Sequence, residues 1–108
     1  TATHEITEPT IIEVKNNGVF DVQPYMKIEG SFGNLAIDNL IINKPLNNDT
    51  LYIDNEKMLI YTKDLTTKVN WLPSCSGDFL KLDHGINEIQ ISGSNLNITL
   101  MYLSIERW

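Results

Sequence analysis

The sequence predicts an all-β fold, a β-sandwich or jelly roll, on three observations. Apolar residues recur at every second position in short runs, as half-buried strands require. Turn residues punctuate those runs about every 8–12 residues. No segment holds a convincing helical period. Together these imply roughly eight to ten short strands in a single domain.

Taken in order, positions 1–15 read as an N-terminal linker and first strand. The chain is expected to be flexible up to about Pro9, and the strand runs over Thr10 to Val14. Positions 16–108 are the sandwich domain. Over Pro24 to Glu29, Met26 and Ile28 share one face, and Lys27 and Glu29 share the other. Gly30-Ser31-Phe32-Gly33-Asn34 is a turn signal, after which Leu35 and Ile37 resume the alternation. Leu40-Ile41-Ile42 is a continuous apolar run, expected to be more fully buried.

Lys44 to Asp49 reads as a loop by composition. Thr50 to Asp54 and Lys57 to Thr62 form a hairpin around Asn55-Glu56. Asn55, paired with Asp54 or Glu56, supplies the left-handed backbone of the bend. Thr66 to Trp71 is a further strand, and Pro73 to Asp78 an irregular loop. Ile86 to Ser92 places Ile89 and Ile91 on one face, with Glu88 and Gln90 on the other. Leu96 to Trp108 is the longest candidate strand, with Leu96, Ile98, Leu100 and Tyr102 at its even positions. A helix is the rival reading there, but β-branched Ile98, Thr99 and Ile105 favour a strand. The inward rows are therefore Met26, Ile28, Leu35, Ile37, Leu51, Ile53, Ile89, Ile91, Ile98 and Leu100.

Composition bounds the function classes. The chain has 108 residues, enough for one buried core. Its formal net charge of -6 gives no basic footprint for nucleic acid or an anionic membrane. One cysteine, Cys75, excludes an internal disulfide and a thiolate metal cluster. No apolar run is long enough to span a membrane as a helix. The chain opens without methionine, so it is expected to be a piece of a longer protein.

Candidate chemistry is sparse. The histidines are His4, in the segment expected to be flexible, and His84, in the turn Asp83-His84-Gly85. Asp83 and His84 are adjacent and diverge, which argues against a shared metal. A nucleophilic Cys75 would need a basic partner, and those two histidines are the candidates. The acids are scattered and single out no acid–base pair. Asp49 to Glu56 lacks the ligand spacing of a calcium loop. Gly30 and Gly33 lead into a strand, whereas a phosphate loop opens a helix. The two Asn-x-Thr sequons, at Asn48 and Asn97, fall among twelve asparagines and are expected by chance. The reading is thus a non-enzyme with no catalytic residue, metal or cofactor.

Sugar stacking on exposed aromatics is the remaining possibility, with Trp71, Tyr61, Tyr52 and Tyr25 available. Trp71, Tyr61 and Tyr52 are the candidate contact residues, for a glycan or for a protein partner. Val69-Asn70-Trp71 resembles a fragment of the galectin sugar-binding strands. Galectins also use a His–Asn–Arg set, and the single arginine here is Arg107.

Three segments carry a wider likeness. Asn16-Asn17-Gly18 with Pro24-Tyr25-Met26-Lys27-Ile28-Glu29-Gly30 is the first. Thr50-Leu51-Tyr52-Ile53-Asp54 running into Met58-Leu59-Ile60-Tyr61 is the second. The third is Phe79-Leu80-Lys81-Leu82 with Gly85-Ile86-Asn87-Glu88-Ile89-Gln90-Ile91-Ser92-Gly93. In these segments the chain resembles the C-terminal domain of siphophage distal tail proteins, over roughly Asn16 to Trp108. It departs at His84, where the family usually has proline, and at Leu80, where proline is common.

The resemblance implies a galectin-like or carbohydrate-module-like sandwich on the outside of a tail hub. It implies contacts with other tail proteins: tail tube, tape measure, and tail-associated or receptor-binding proteins. It also implies a hexamer formed through an N-terminal domain that lies outside this sequence. The expected location is the virion tail, or the bacterial cytoplasm when expressed from a prophage. A second reading is a carbohydrate-binding module for host cell-surface or cell-wall glycans. Nucleic-acid binding and membrane insertion are not expected.

Overall fold

The computed structural model describes residues 2–16, 18, 20–64 and 67–104. Among them run eleven strands: β1 (Ala2–Ile6), β2 (Thr10–Asn16), β3 (Tyr25–Phe32), β4 (Asn34–Ile37), β5 (Leu40–Ile42), β6 (Leu46–Asp54), β7 (Leu59–Asp64), β8 (Thr67–Asn70), β9 (Cys75–Ser76), β10 (Gly85–Ser94) and β11 (Asn97–Ser104). One 3₁₀ turn covers Leu72–Ser74. The strands build a six-stranded sheet in the order β1-β11-β3-β6-β7-β8 and a five-stranded sheet in the order β2-β10-β4-β5-β9. Every strand pairing is antiparallel. The two sheets pack together over one core, an all-β sandwich.

Period-2 alternation is what aims each strand. In the larger sheet Tyr102, Met26, Ile53 and Ile60 lie in register across β11, β3, β6 and β7. Leu100, Ile28 and Leu51 form the row beside it. In the smaller sheet Ile12, Ile89, Ile91, Ile37 and Leu40 meet in cross-strand pairs. All ten residues of the predicted inward rows are buried. Burying each such side chain stabilises the fold by about 1.5–3 kcal/mol relative to exposure.

Several expectations change in three dimensions. In place of the expected linker followed by one strand, Ala2–Ile6 and Thr10–Asn16 each supply an edge strand, one to each sheet. Ala2 to Ile6 pair with Tyr102 to Ile98, and the otherwise polar segment is anchored by Ile6, which is buried. His4 accordingly lies in a strand, opposite Leu100. The turn expected at 30–34 shrinks to Gly33, with β3 continuing through Gly30 to Phe32 across a register shift. Ile41 points outward and is 41% exposed, since no further layer covers the smaller sheet there among the described residues.

The polar stretch 46–49 extends β6, pairing Leu46 with Phe32 and Asp49 with Gly30. Composition suggested a loop because Asn47, Asn48 and Asp49 are all exposed, yet ladder pairing does not depend on burial. The hairpin turn spans 55–58, and its left-handed residue is Met58 (φ 56°). Asn55 is instead buried and works through its side chain. The loop expected over Pro73 to Asp78 contains β9, which pairs with β5. Among the described residues β10 spans ten residues and β11 eight. Thr66 and the end of the last predicted strand, 105–108, lie outside the described residues.

Candidate functional site

With Met26, Ile28, Leu51, Ile53 and Ile60 turned inward, the intervening residues of β3, β6 and β7 face out. Register then assembles them into rows. Lys27, Tyr52, Tyr61 and Asn70 stand side by side across β3, β6, β7 and β8. Lys63 and Lys68 face each other in the next row. Tyr25 lies opposite Asp54, and Glu29 opposite Thr50.

These side chains form a connected cluster. The Tyr52 and Tyr61 rings stack, with centroids 5.3 Å apart and planes 17° from parallel. Tyr25 tilts against Tyr52 at 6.4 Å. The Tyr25 and Tyr61 hydroxyls are 2.6 Å apart and share a hydrogen bond. Burial, followed by that bond to Tyr61, raises the Tyr25 hydroxyl well above its ordinary pKa. Lys63 Nζ lies 4.9 Å from the Tyr52 ring centre, and Lys68 Nζ lies 4.6 Å from that of Tyr61. Both are cation–π distances. Lys27 pairs with Glu29 at 2.8 Å, which raises its pKa.

Electrostatically this face stands apart from a chain of net charge -6. Lys63 and Lys68 place two ammonium groups opposite each other, an arrangement unfavourable in isolation. Beside them a hollow of ≈170 Å³ is lined by Leu59, Ile60, Tyr61, Lys68, Asn70 and Leu72. That is below the roughly 300–1,000 Å³ of a small-molecule pocket and suits one inserted side chain. The arrangement can therefore hold an apolar or aromatic group beside a carboxylate or another anion.

Of the three residues singled out from the sequence, the structure brings Tyr52 and Tyr61 together and places Trp71 elsewhere. Trp71 is 5% exposed and belongs to the core, with Lys44 Nζ 4.6 Å from its ring centre. It has no open ring face of the kind a stacking platform needs. Tyr61 is 7% exposed under its neighbours, which leaves half-buried Tyr52 as the accessible ring. Sequence reasoning missed Lys27, Lys63 and Lys68. The signal for Lys27 and Lys63 was their i, i+2 spacing from Tyr25 and Tyr61, while Lys68 is placed only by its pairing with Lys63, so none of the three stands out until the register is known.

The other candidates have local structural partners. His84 Nδ1 lies 2.6 Å from the Gly18 carbonyl oxygen. Cys75 Sγ donates to the Trp71 carbonyl at 3.1 Å, and burial pushes its thiol pKa up, away from the reactive thiolate. Among the described residues, no group of three or more His, Cys, Asp or Glu side chains could hold a metal ion.

Fold and surface together define a class: an antiparallel β-sandwich with an aromatic and basic face on its larger sheet. Comparisons with protein families, with curated proteins and with solved structures find no match to the chain.

Proposed function

We propose that this domain is a structural contact module of a phage tail tip, seating a neighbouring baseplate protein on the outer face of its six-stranded sheet. The observation that carries the contact role is the Tyr52–Tyr61 stack with Lys63 and Lys68 over its rings. Tyrosine offers large contact area at little entropic cost, and tyrosines are enriched among residues that dominate binding energy. The hollow beside Tyr61 would accept an anchoring side chain, and the lysines would steer an acidic partner onto the face.

The tail assignment rests on the likeness to distal tail C-terminal domains, and the sandwich architecture is compatible with it. Segments carrying that likeness have defined structural roles here. Asn16 bonds the Phe20 and Leu82 carbonyls, and Asn87 of the Gly-x-Asn-x-Ile run bonds both the N–H and the C=O of Asp83. A galectin-like arrangement of the sheets belongs to the same proposal.

A second reading, glycan binding, is favoured by the half-buried Tyr52 ring with Asn70 and lysines at hand. One experiment separates the two. The chain is co-expressed with the proteins encoded beside it in the tail gene cluster, and the same preparation is applied to a glycan array. Co-elution with a tail protein, lost in Tyr52→Ala/Lys63→Glu at unchanged melting temperature, is the expected result. Array binding lost in the same variant, without co-elution, would replace the scaffold with the sugar module.

A further inference from the structure

The smaller sheet ends in β2, whose seven residues pair with β10 in an unbroken register from Thr10 to Asn16. Its other side has no strand partner among the described residues. The remaining sheet edges are shorter: five residues in β1, four in β8 and two in β9. A long, straight, unbulged edge without proline is a template for another strand, and proteins commonly blunt such edges with charge. β2 carries two outward charges, Glu13 and Lys15, but they have opposite signs and stand two residues apart.

That spacing makes the edge complementary to itself. In an antiparallel pairing of two copies about Val14, Glu13 of each copy stands opposite Lys15 of the other, so two ion pairs form. An axis through Glu13 would set carboxylate against carboxylate, and one through Ile12 would leave Glu13 opposite Ile11. Charge therefore selects the Val14 register.

A second observation agrees. Within one copy Glu13 lies directly opposite Glu88 on the exposed face, while Lys15 lies opposite Ile86. Facing like charges are destabilising. Neither glutamate has an ion-pair partner among the described residues. A lysine arriving on the free side of Glu13 would offset that repulsion.

The geometry points to a symmetric dimer in which two copies of this chain join along β2, merging their five-stranded sheets into one continuous sheet. The contact is isologous, closes on itself, and leaves the Tyr52 face free. It stands independently of the tail-tip proposal.

The test is the mass of the 108-residue chain by light scattering and sedimentation. The unaltered chain should have twice the monomer mass, and raising the salt should dissociate it as the ion pairs are screened. Glu13→Lys alone and Lys15→Glu alone should each be monomeric, because every cross-edge pair then meets like charge. Mixing the two variants should restore the doubled mass, since each supplies the sign that the other needs. A misfolded variant could not give this result. A monomeric unaltered chain, a dimer indifferent to both reversals, or a mixture that stays monomeric would each overturn the proposal.

Discussion

Asn55 shows how one polar side chain can organise several loops. Its amide nitrogen donates to the Pro24 carbonyl at 2.7 Å, and its oxygen accepts from the Leu80 N–H at 2.8 Å. The side chain is fully buried, so the Leu80 N–H depends on it in place of water, and the Pro24 carbonyl accepts from it as well as from the Asn55 backbone N–H at 3.3 Å. Asn16 performs the same task for the loop after β2, accepting from the Gly18 N–H and donating to Phe20 and Leu82. Replacing Asn55 with alanine leaves the buried Leu80 N–H without its acceptor, while the Pro24 carbonyl keeps only the 3.3 Å bond from the residue-55 backbone N–H. Asn55→Ala is expected to lower unfolding free energy by about 1–3 kcal/mol in urea denaturation. A loss below about 0.5 kcal/mol would mean that these loops are held by something else. The sequence marked Asn55 only as a turn residue, because asparagine suits both a bend and a buried cross-link. Which role it fills depends on residues more than twenty positions away.

At the level of the strand, two glycines allow the sheets to keep their register. Gly30 has φ +129°, and a Cβ there would lie 2.2 Å from the Asn97 carbonyl oxygen of β11. Gly93 of β10 repeats the arrangement at φ +144° against the Asn34 carbonyl oxygen. At both sites the neighbouring backbone occupies the space of a side chain. Gly85 also has a positive φ, +100°, but nothing lies within 4 Å of its would-be Cβ. Gly30→Ala should therefore destabilise by more than the roughly 1–3 kcal/mol of backbone strain, whereas Gly85→Ala should lose that strain alone. Thermal melts of the two variants check this, and equal losses would contradict the close approach at Gly30. The same register makes the candidate site. The four-residue turn at 55–58 sets Tyr52 against Tyr61, and a shift of β7 by one residue would turn Tyr61 inward, away from Tyr52.

The whole molecule presents two unlike outer faces, one with Tyr52 and the lysines, the other with exposed Ile11, Ile86 and paired glutamates. Its response to alkali follows from two tyrosines on opposite sides of the larger sheet. Tyr102 is buried, next to His4 in an edge-on contact at 6.0 Å, and its hydroxyl has no hydrogen-bond partner among the described residues. Burial, with a smaller contribution from Asp38, raises its pKa, as burial and the Tyr61 bond do for Tyr25. A phenol whose pKa is higher folded than unfolded contributes stability that is complete below the unfolded value near 10. That stability is lost as pH rises beyond it. The melting temperature should hold up to about pH 10 and then fall, and Tyr102→Phe should make the fall shallower. Unchanged alkaline sensitivity in that variant would contradict the assignment. At neutral pH the same variant should keep its stability, since it removes a buried hydroxyl that has no partner.

Alternation by itself determined that the chain is a β-sandwich, and it named the inward rows from Met26 to Leu100. A strand's period is written in consecutive residues, and burial follows it directly. The likeness to tail proteins and the choice of contact residues came from the same local text. Only the tertiary structure decided that Ala2 to Ile6 closes a sheet, that Ile41 faces out, that Trp71 is core, and that Lys63 and Lys68 crown the tyrosine stack. Each of these depends on the strand lying alongside or the layer lying above. Such neighbours are brought together by long-range pairing, and no window of adjacent residues records them.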